Sequence, residues 1–191
     1  AHIVRRLRHR LTISGIDSLP ELLRRVIEDP PLFAAVLDDL SIRVTEMFRD
    51  PSFFLALRRE VVPFLKTYPF IRIWHAGCAT GEEVYSMAIL LAEEGVYDRC
   101  RVYATDLSQV ALDRARAGIL PLQAMQGHTA RYQRAGGLRS FADYYVARPG
   151  GALVNPALRR NLVFAEHNLV TDGAFGEMNL IVCRNVLIYF N

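Results

Sequence analysis

The sequence predicts an α/β fold, in which helices come first and a mostly parallel, Rossmann-like sheet follows. From Ile71 onward, short apolar strands alternate with helices, a pattern typical of a parallel sheet covered by helices. A loop from Gly77 to Gly81 joins the first strand to an amphipathic helix. Strand, glycine loop and helix is the arrangement that brings an α/β backbone close to a nucleotide-like cofactor.

Helices are predicted before the sheet, and strands alternate with helices within it. A capping box from Ser18 to Glu21 begins one helix, and the proline pair at 30–31 ends it. Asp50 and Pro51 are interpreted as the N-cap and first residue of a later helix that runs to about residue 66. A helix at 108–117 ends at Gly118. The four strands are predicted at 71–76, 101–105, 162–165 and 180–183.

The sequence also predicts how the chain is organised into domains. Residues 1–66 form an N-terminal helical domain and linker, and residues 67–191 form the sheet domain. The stretch 119–161 fits the alternation poorly, and Pro149-Gly-Gly between two apolar runs indicates a small hairpin-like β insertion. Since an open α/β sheet usually has more than four strands, we expect the chain to be truncated at its C-terminus.

Charge and composition limit the class of partner. The net charge of +3 over 191 residues is mild and does not suggest nucleic acid, and a hydrophobic content of 51% supports a real core. The charge is uneven, because residues 1–16 carry Arg5, Arg6, Arg8 and Arg10 without an acidic residue. Such a run favours an acidic macromolecular partner, and the alternative is a solvated helix face.

The cysteines and apolar runs indicate a cytoplasmic protein. Cys78, Cys100 and Cys183 are odd in number and far apart, so they form neither a metal-ligand pair nor a disulfide framework. The apolar run at 87–92 is too short to span a bilayer, and no apolar region follows the N-terminal arginines as in a signal peptide. We expect no direct membrane insertion.

Two glutamates begin the helix after the glycine loop. Carboxylates at Glu82 and Glu83 would repel a pyrophosphate and attract a cation. A cofactor with a nucleoside and a positive end therefore fits better than NAD. S-adenosylmethionine, with its sulfonium and ammonium groups, is such a cofactor.

Asp106 ends the second strand, 24 residues after Glu82. An acidic side chain at this place can accept hydrogen bonds from both hydroxyls of a ribose. The alternative is an N-cap of the next helix, a role that Ser108 could fill instead. The glycine loop upstream favours ribose binding.

Other polar residues follow the strands. Ligands of open α/β sheets bind beyond the carboxyl ends of strands, where Gly77, Asp106, Asn168 and Arg184 all fall. Arg49, before the sheet, could bind a carboxylate such as the methionine end of the cofactor, although an arginine there is more often a surface residue. The histidines lack metal-ligand spacing, and no metal site is predicted; they are His75, His128 and His167.

Five motifs in order resemble the CheR family, the methyltransferases that esterify glutamates on bacterial chemotaxis receptors. The motifs are Thr45-x-x-Phe-Arg49-Asp-Pro, Trp74-x-Ala-Gly-Cys-x-x-Gly81-Glu-Glu-x-Tyr-Ser86, Ala104-Thr-Asp106, His167-Asn-Leu169 and Cys183-Arg-Asn-Val-Leu-Ile-Tyr189-Phe. The resemblance implies a class I methyltransferase sheet domain. Such an enzyme converts S-adenosylmethionine to S-adenosylhomocysteine when it transfers the methyl group. It places Arg49 and Tyr189 nearest the reacting methyl group. It implies cofactor-binding roles for Thr45, Arg49, Ala76, Gly77, Glu82, Asp106, Asn168, Leu169, Arg184 and Asn185.

The resemblance also implies a partner, and the chain departs from the family pattern in two places. The family's basic helical domain faces an acidic methylation helix of a chemoreceptor, and its β-subdomain corresponds to 119–161. In some members that subdomain holds a peptide from the receptor. Arg43 stands where some relatives have a polar amide, and the family continues past Asn191.

Three other functions remain open at this point. A nicotinamide-dependent oxidoreductase is disfavoured by the glutamates at the helix start and by the lack of a substrate domain. A cofactor-binding regulatory module without activity is disfavoured by the full set of cofactor residues. A methyltransferase acting on a non-receptor protein or a small molecule is also compatible with the sequence.

Overall fold

The structure, a computed structural model, describes residues 2–40 and 45–189 and separates the chain into two compact units, 1–44 and 45–191. The sequence predicted a helical domain with its linker at 1–66 and a sheet domain at 67–191. This assignment of domains stays a prediction. Arg43, Phe190 and Asn191, which the sequence motifs touch, lie outside the described residues.

Three helices form the first unit around a small core of Ile16, Leu22 and Val36. The second helix begins as the capping box predicts, because Ser18 Oγ accepts a hydrogen bond from the Glu21 amide at 3.4 Å. The helices are α1 (His2–Ser14), α2 (Leu19–Glu28) and α3 (Pro30–Leu40).

Helix α2 leaves an apolar stripe uncovered. Leu22 is buried, but Leu19, Leu23 and Ile27, four residues apart on one side, are 44%, 66% and 85% exposed. The sequence spacing predicted the helix correctly. It could not show that the helix carries more apolar surface than the core of this unit covers.

The second unit contains a four-stranded parallel sheet in the order β6-β2-β1-β7. The observed strands agree with the predicted ones to within a residue at each end. They are β1 (Ile71–Ala76), β2 (Cys100–Asp106), β6 (Leu162–Glu166) and β7 (Leu180–Val182). The α/β fold class is thereby confirmed.

Helices cover the sheet and precede it. Helix α6 is buried over most of its length, and Gly81 at its start packs so closely that an added Cβ would lie 3.0 Å from the Ala115 Cβ of α7. Pro51 begins a continuous helical stretch that has a π-helical middle, Leu57–Val61. The helices are α4 (Pro51–Ala56), α5 (Val62–Leu65), α6 (Glu82–Glu93) and α7 (Gln109–Ala117).

The insertion forms a second, antiparallel sheet in the order β3-β5-β4. The predicted hairpin is present: β4 and β5 pair through a turn at Pro149 and Gly150, where Gly150 has φ +92°. The elements are β3 (Ile119–Leu120), α8 (Met125–Arg134), β4 (Tyr145–Arg148), β5 (Gly151–Val154) and α9 (Pro156–Arg159).

A buried carboxylate, which sequence reasoning missed, attaches the insertion to α6. The Glu93 side chain is 1% exposed and pairs with Arg58. It also accepts hydrogen bonds from the hydroxyl groups of Tyr132 and Tyr144 and from the Leu138 amide at 3.0 Å. Burial opposes ionisation, but these donors outweigh it and lower the pKa of Glu93.

Glu93→Gln should destabilise the protein by about 3–5 kcal/mol, because Arg58 would keep a buried charge with one fewer partner. Urea unfolding measures the loss. The contribution of ionised Glu93 is present above its unfolded-state pKa of about 4.3 and is lost as pH falls through its lower folded-state pKa. The loss caused by Glu93→Gln should therefore shrink at low pH.

Glu94→Gln is the matched control, since Glu94 also pairs with Arg58 but its side chain is 18% exposed. An equal loss of stability in the two variants would contradict the role given to Glu93.

Candidate active site

The glycine loop after β1 is tied to the end of β2. The amides of Gly77 and Cys78 both donate to the Thr105 carbonyl oxygen at 2.8 Å. Gly77 has φ +76°, and a Cβ there would overlap the side chain of Val186. Only glycine satisfies both the backbone conformation and this close approach.

Asp106 holds two backbone segments at the sheet edge. Its Oδ2 accepts from the Ala79 amide at 2.8 Å, and its Oδ1 accepts from the Ser108 amide at 3.0 Å. Ser108 caps α7, because its Oγ accepts from the Ala111 amide. The alternative of Asp106 as the N-cap of that helix is wrong.

Backbone in the left-handed region concentrates around this edge. Among the described residues other than glycine, four have positive φ, and all four lie in or beside the predicted site motifs: Phe48 (53°), Asp50 (56°), Ala79 (47°) and Asn185 (59°). Each such conformation costs on the order of 1–3 kcal/mol and typically persists where surrounding contacts impose it, as at functional sites.

The two glutamates at the start of α6 have different surroundings. Glu82 is 9% exposed and accepts a hydrogen bond from the Thr80 hydroxyl at 2.6 Å. Burial raises the pKa of Glu82 above its usual range. Glu83 contacts His75 Nδ1 at 3.0 Å and Arg184 Nη1 at 2.8 Å. Burial opposes ionisation of Glu83, but these two contacts outweigh it and lower its pKa.

Arg184 joins three segments of the chain. Besides Glu83, its guanidinium binds Asp50 Oδ2 at 2.6 Å and the Arg49 carbonyl oxygen at 3.4 Å. The same group lies over the Phe53 ring, 4.0 Å from its centroid. Asp50 does occupy the N-cap position of α4, but it makes no capping hydrogen bond and binds Arg184 instead. The predicted N-cap position of Asp50 and the helix start at Pro51 are therefore confirmed, although the Asp50 side chain does not cap the helix.

Several predicted site residues lie at the carboxyl ends of neighbouring strands. Ala76 ends β1, Asp106 ends β2, Asn168 and Leu169 follow β6, and Arg184 and Asn185 follow β7. The His167 amide donates to the Asp106 carbonyl oxygen at 3.2 Å, which keeps the β6 loop beside β2.

The remaining predicted residues lie around α4 and at the end of the chain. Thr45 and Arg49 are half-buried in the segment that leads into α4. For Tyr189 the backbone forms a 3-10 turn (Leu187–Tyr189), and its side chain lies outside the described residues.

Sequence reasoning missed the partners of Glu83. His75 was treated as a lone histidine, and Arg184 only as a polar residue at a strand end. The available signal was weak: Glu83 lies eight positions after His75, but Arg184 is 101 positions further on. In the described part of the chain, no group of three or more His, Cys, Asp or Glu side chains could hold a metal.

Geometry and chemistry fit a cofactor with a nucleoside and a cation. A parallel sheet ends in a glycine loop, an acidic residue closes the second strand, and a buried carboxylate, Glu82, has a hydroxyl partner and a raised pKa. An ammonium group would stabilise the charged form of such a carboxylate. These features define an α/β domain for a nucleoside-containing cofactor.

The family description "CheR methyltransferase, SAM binding domain" matches residues 43–191. The chain belongs to the CheR methyltransferase family, which confirms the resemblance, and S-adenosylmethionine is its methyl donor. In the described helices, none is long and apolar enough to cross a membrane.

Relatives extend the similarity over the whole chain. "Putative methyltransferase Cher3" of Pseudomonas putida is 52% identical over 191 residues, which are 100% of this chain and 70% of the relative. "Chemotaxis protein methyltransferase Cher2" of the same organism is 32% identical over 97% of this chain and 70% of its own length. "Chemotaxis protein methyltransferase 2" of Pseudomonas aeruginosa is 32% identical over 97% of this chain and 66% of its own length.

Gly77→Ala should destabilise the protein by more than the roughly 1–2 kcal/mol that a left-handed residue costs, because Val186 must also move. Gly95→Ala is the control: Gly95 has φ +72°, and an added Cβ there meets nothing within 4 Å. Urea unfolding of both variants separates backbone strain from overlap, and equal losses would remove the packing argument.

Proposed function

We propose that this protein is a chemotaxis methyltransferase that transfers a methyl group from S-adenosylmethionine to glutamate carboxylates of chemoreceptor-like signalling proteins. The product would be a glutamate methyl ester, which makes the enzyme a protein-glutamate O-methyltransferase. Family membership supports the cofactor, and the names of two relatives support the chemotaxis setting. The observation that carries the proposal is the strand edge that brings the glycine loop, Asp106 and Glu82 together.

Each residue at this edge has a proposed task toward the cofactor. Asp106 would accept the ribose hydroxyls, since in the described part of the chain each of its oxygens accepts from one backbone amide and can accept another hydrogen bond. Glu82 would hold the ammonium group. Arg49 would bind the carboxylate at the methionine end. The further residues proposed to line the site are Thr45, Ala76, Gly77, Asn168, Leu169, Arg184 and Asn185.

The chemistry requires positioning more than proton transfer. Bound S-adenosylmethionine supplies an electrophilic methyl group. The acceptor glutamate, with a reference pKa of about 4.3, is already ionised at neutral pH, so this chain needs no general base. Arg49 and Tyr189 are the side chains that we propose nearest the reacting methyl group. Their task would be to orient the acceptor carboxylate, and orientation alone is worth on the order of 7–11 kcal/mol in ideal cases.

The helical unit supports an acidic protein partner. Of the four N-terminal arginines, Arg5 and Arg8 are exposed, whereas Arg10 pairs with Asp39 Oδ2 at 2.6 Å and Arg6 binds the Asp39 carbonyl oxygen. The run of four arginines is therefore divided into two exposed residues and two that contact Asp39. We propose that Arg5 and Arg8 meet the acidic methylation helix of a receptor in the cytoplasm. Nucleic acid and membrane insertion are not part of the proposal.

Asp106→Asn should weaken the binding of S-adenosylhomocysteine by roughly 1.5–3 kcal/mol, because one charged acceptor of the ribose hydroxyls is lost. Isothermal titration calorimetry measures the change. Asp113→Asn is the matched control, since Asp113 lies on the neighbouring helix α7, its side chain is 63% exposed, and its contacts with Arg116 and Gln109 are surface contacts. Equal affinities of the two variants would remove Asp106 from the site.

The reaction itself is tested with tritiated S-adenosylmethionine and cytoplasmic receptor fragments. We expect label on the receptor that base releases as methanol, the signature of an ester. The rate should fall as salt rises, because screening weakens the attraction between Arg5, Arg8 and an acidic helix. Label only on another protein or a small molecule would favour those substrates, and cofactor binding without transfer to any acceptor would favour a regulatory module.

A further inference from the structure

A fully buried histidine lies beneath the cofactor edge. His75, the fifth residue of β1, is 0% exposed, on the same buried face of the strand as Ile71 and Ile73. Its Nδ1 contacts Glu83 Oε1 at 3.0 Å. Its Nε2 is buried and has no hydrogen-bond partner among the described residues. Burying an imidazole is costly unless it forms a hydrogen bond, and the contact with Glu83 offsets part of that cost.

The contact fixes which atom carries the proton. Glu83 also receives a hydrogen bond from Arg184, and an ionised carboxylate only accepts hydrogen bonds. The atom that faces Glu83 Oε1 must therefore be a donor, which places a proton on His75 Nδ1. With the opposite tautomer, a lone pair on Nδ1 would face the carboxylate oxygen at 3.0 Å.

The two carboxylate oxygens of Glu83 bind different partners. Oε1 faces His75 in the core, and Oε2 accepts from Arg184 Nη1 at 2.8 Å. A carboxylate bound at both oxygens cannot rotate freely. Arg184 in turn binds Asp50 and the carbonyl oxygen of Arg49. The orientation of Glu83 therefore affects the position of the segment before α4, because Arg184 contacts both.

We propose that His75 is a positioning residue: through Glu83 it orients Arg184 and thereby sets the placement of the Arg49–Asp50 segment at the cofactor edge. The inference rests on the proposed function insofar as that edge binds the cofactor. In this proposed arrangement His75 itself would touch neither cofactor nor substrate. Removing its N–H should therefore change cofactor affinity without any lost contact to the cofactor.

Two substitutions separate the hydrogen bond from packing. His75→Asn places an amide N–H close to where Nδ1–H was, whereas His75→Leu keeps a side chain of similar size without a donor. We expect His75→Leu to weaken S-adenosylhomocysteine binding about tenfold, and His75→Asn to stay within about threefold of the wild type. Unfolding in urea must show that both variants are folded at the temperature of the titration.

Coupling to Glu83 is tested with a double mutant. Glu83→Gln should weaken binding by itself, and adding His75→Leu should cause little further loss, because the two residues act in sequence. Additive losses would show that His75 acts independently of Glu83, and they would overturn the proposal. Wild-type affinity in His75→Leu would overturn it as well.

A measurement on the ligand-free wild type does not depend on these variants. Long-range proton–nitrogen NMR spectra of protein labelled at histidine nitrogens should show a protonated Nδ1 for His75. A tautomer protonated only at Nε2 would overturn the proposal. If the wild type binds no S-adenosylhomocysteine at all, the proposed function fails, and the NMR result still decides whether His75 donates to Glu83.

Discussion

The geometry of the candidate site depends on the contacts of the Arg184 guanidinium. The guanidinium connects the loop after β7 with the start of α6 through Glu83, and with the segment before α4 through Asp50 and the Arg49 carbonyl oxygen. These segments are far apart in sequence, so no local preference could bring them together. The Arg184–Glu83 pair is shielded from solvent more than a surface pair, because the two side chains are only 17% and 19% exposed. The Asp50 side chain is 58% exposed, so the Arg184–Asp50 pair is more open to solvent.

This junction changes how the acidic helix start is understood. Two adjacent glutamates suggested a doubly negative site for a cation. In the structure, Glu83 already has an internal cation, whereas Glu82 has a neutral hydroxyl partner and a raised pKa. Only Glu82 is therefore proposed to meet the ammonium group. Glu83 supports the architecture around it by binding Arg184, which also binds Asp50, a residue with positive φ. Asn185, which follows Arg184 in the chain, has positive φ as well.

The elements could be predicted from the sequence because they depend on local rules. A short apolar run located β1, Gly118 located the end of α7, and Ser18 and Ser108 cap their helices. Pairings between distant side chains could not be predicted. Glu93 binds Arg58, Tyr132 and Tyr144, and nothing in the spacing of these four residues shows that they meet. Asp50 occupies the predicted cap position, but its side chain binds the distant Arg184, which local rules could not show.

We propose that the strand edge binds a cofactor with a nucleoside and a cationic amino acid end. Titrating the wild-type protein with S-adenosylhomocysteine and, separately, with NADH in a calorimeter tests this claim most directly. S-adenosylhomocysteine, which keeps the nucleoside and the ammonium group, should bind with one site per chain, and NADH, whose pyrophosphate would face Glu82, should not bind. Binding of NADH, or heat from neither ligand, would contradict the account.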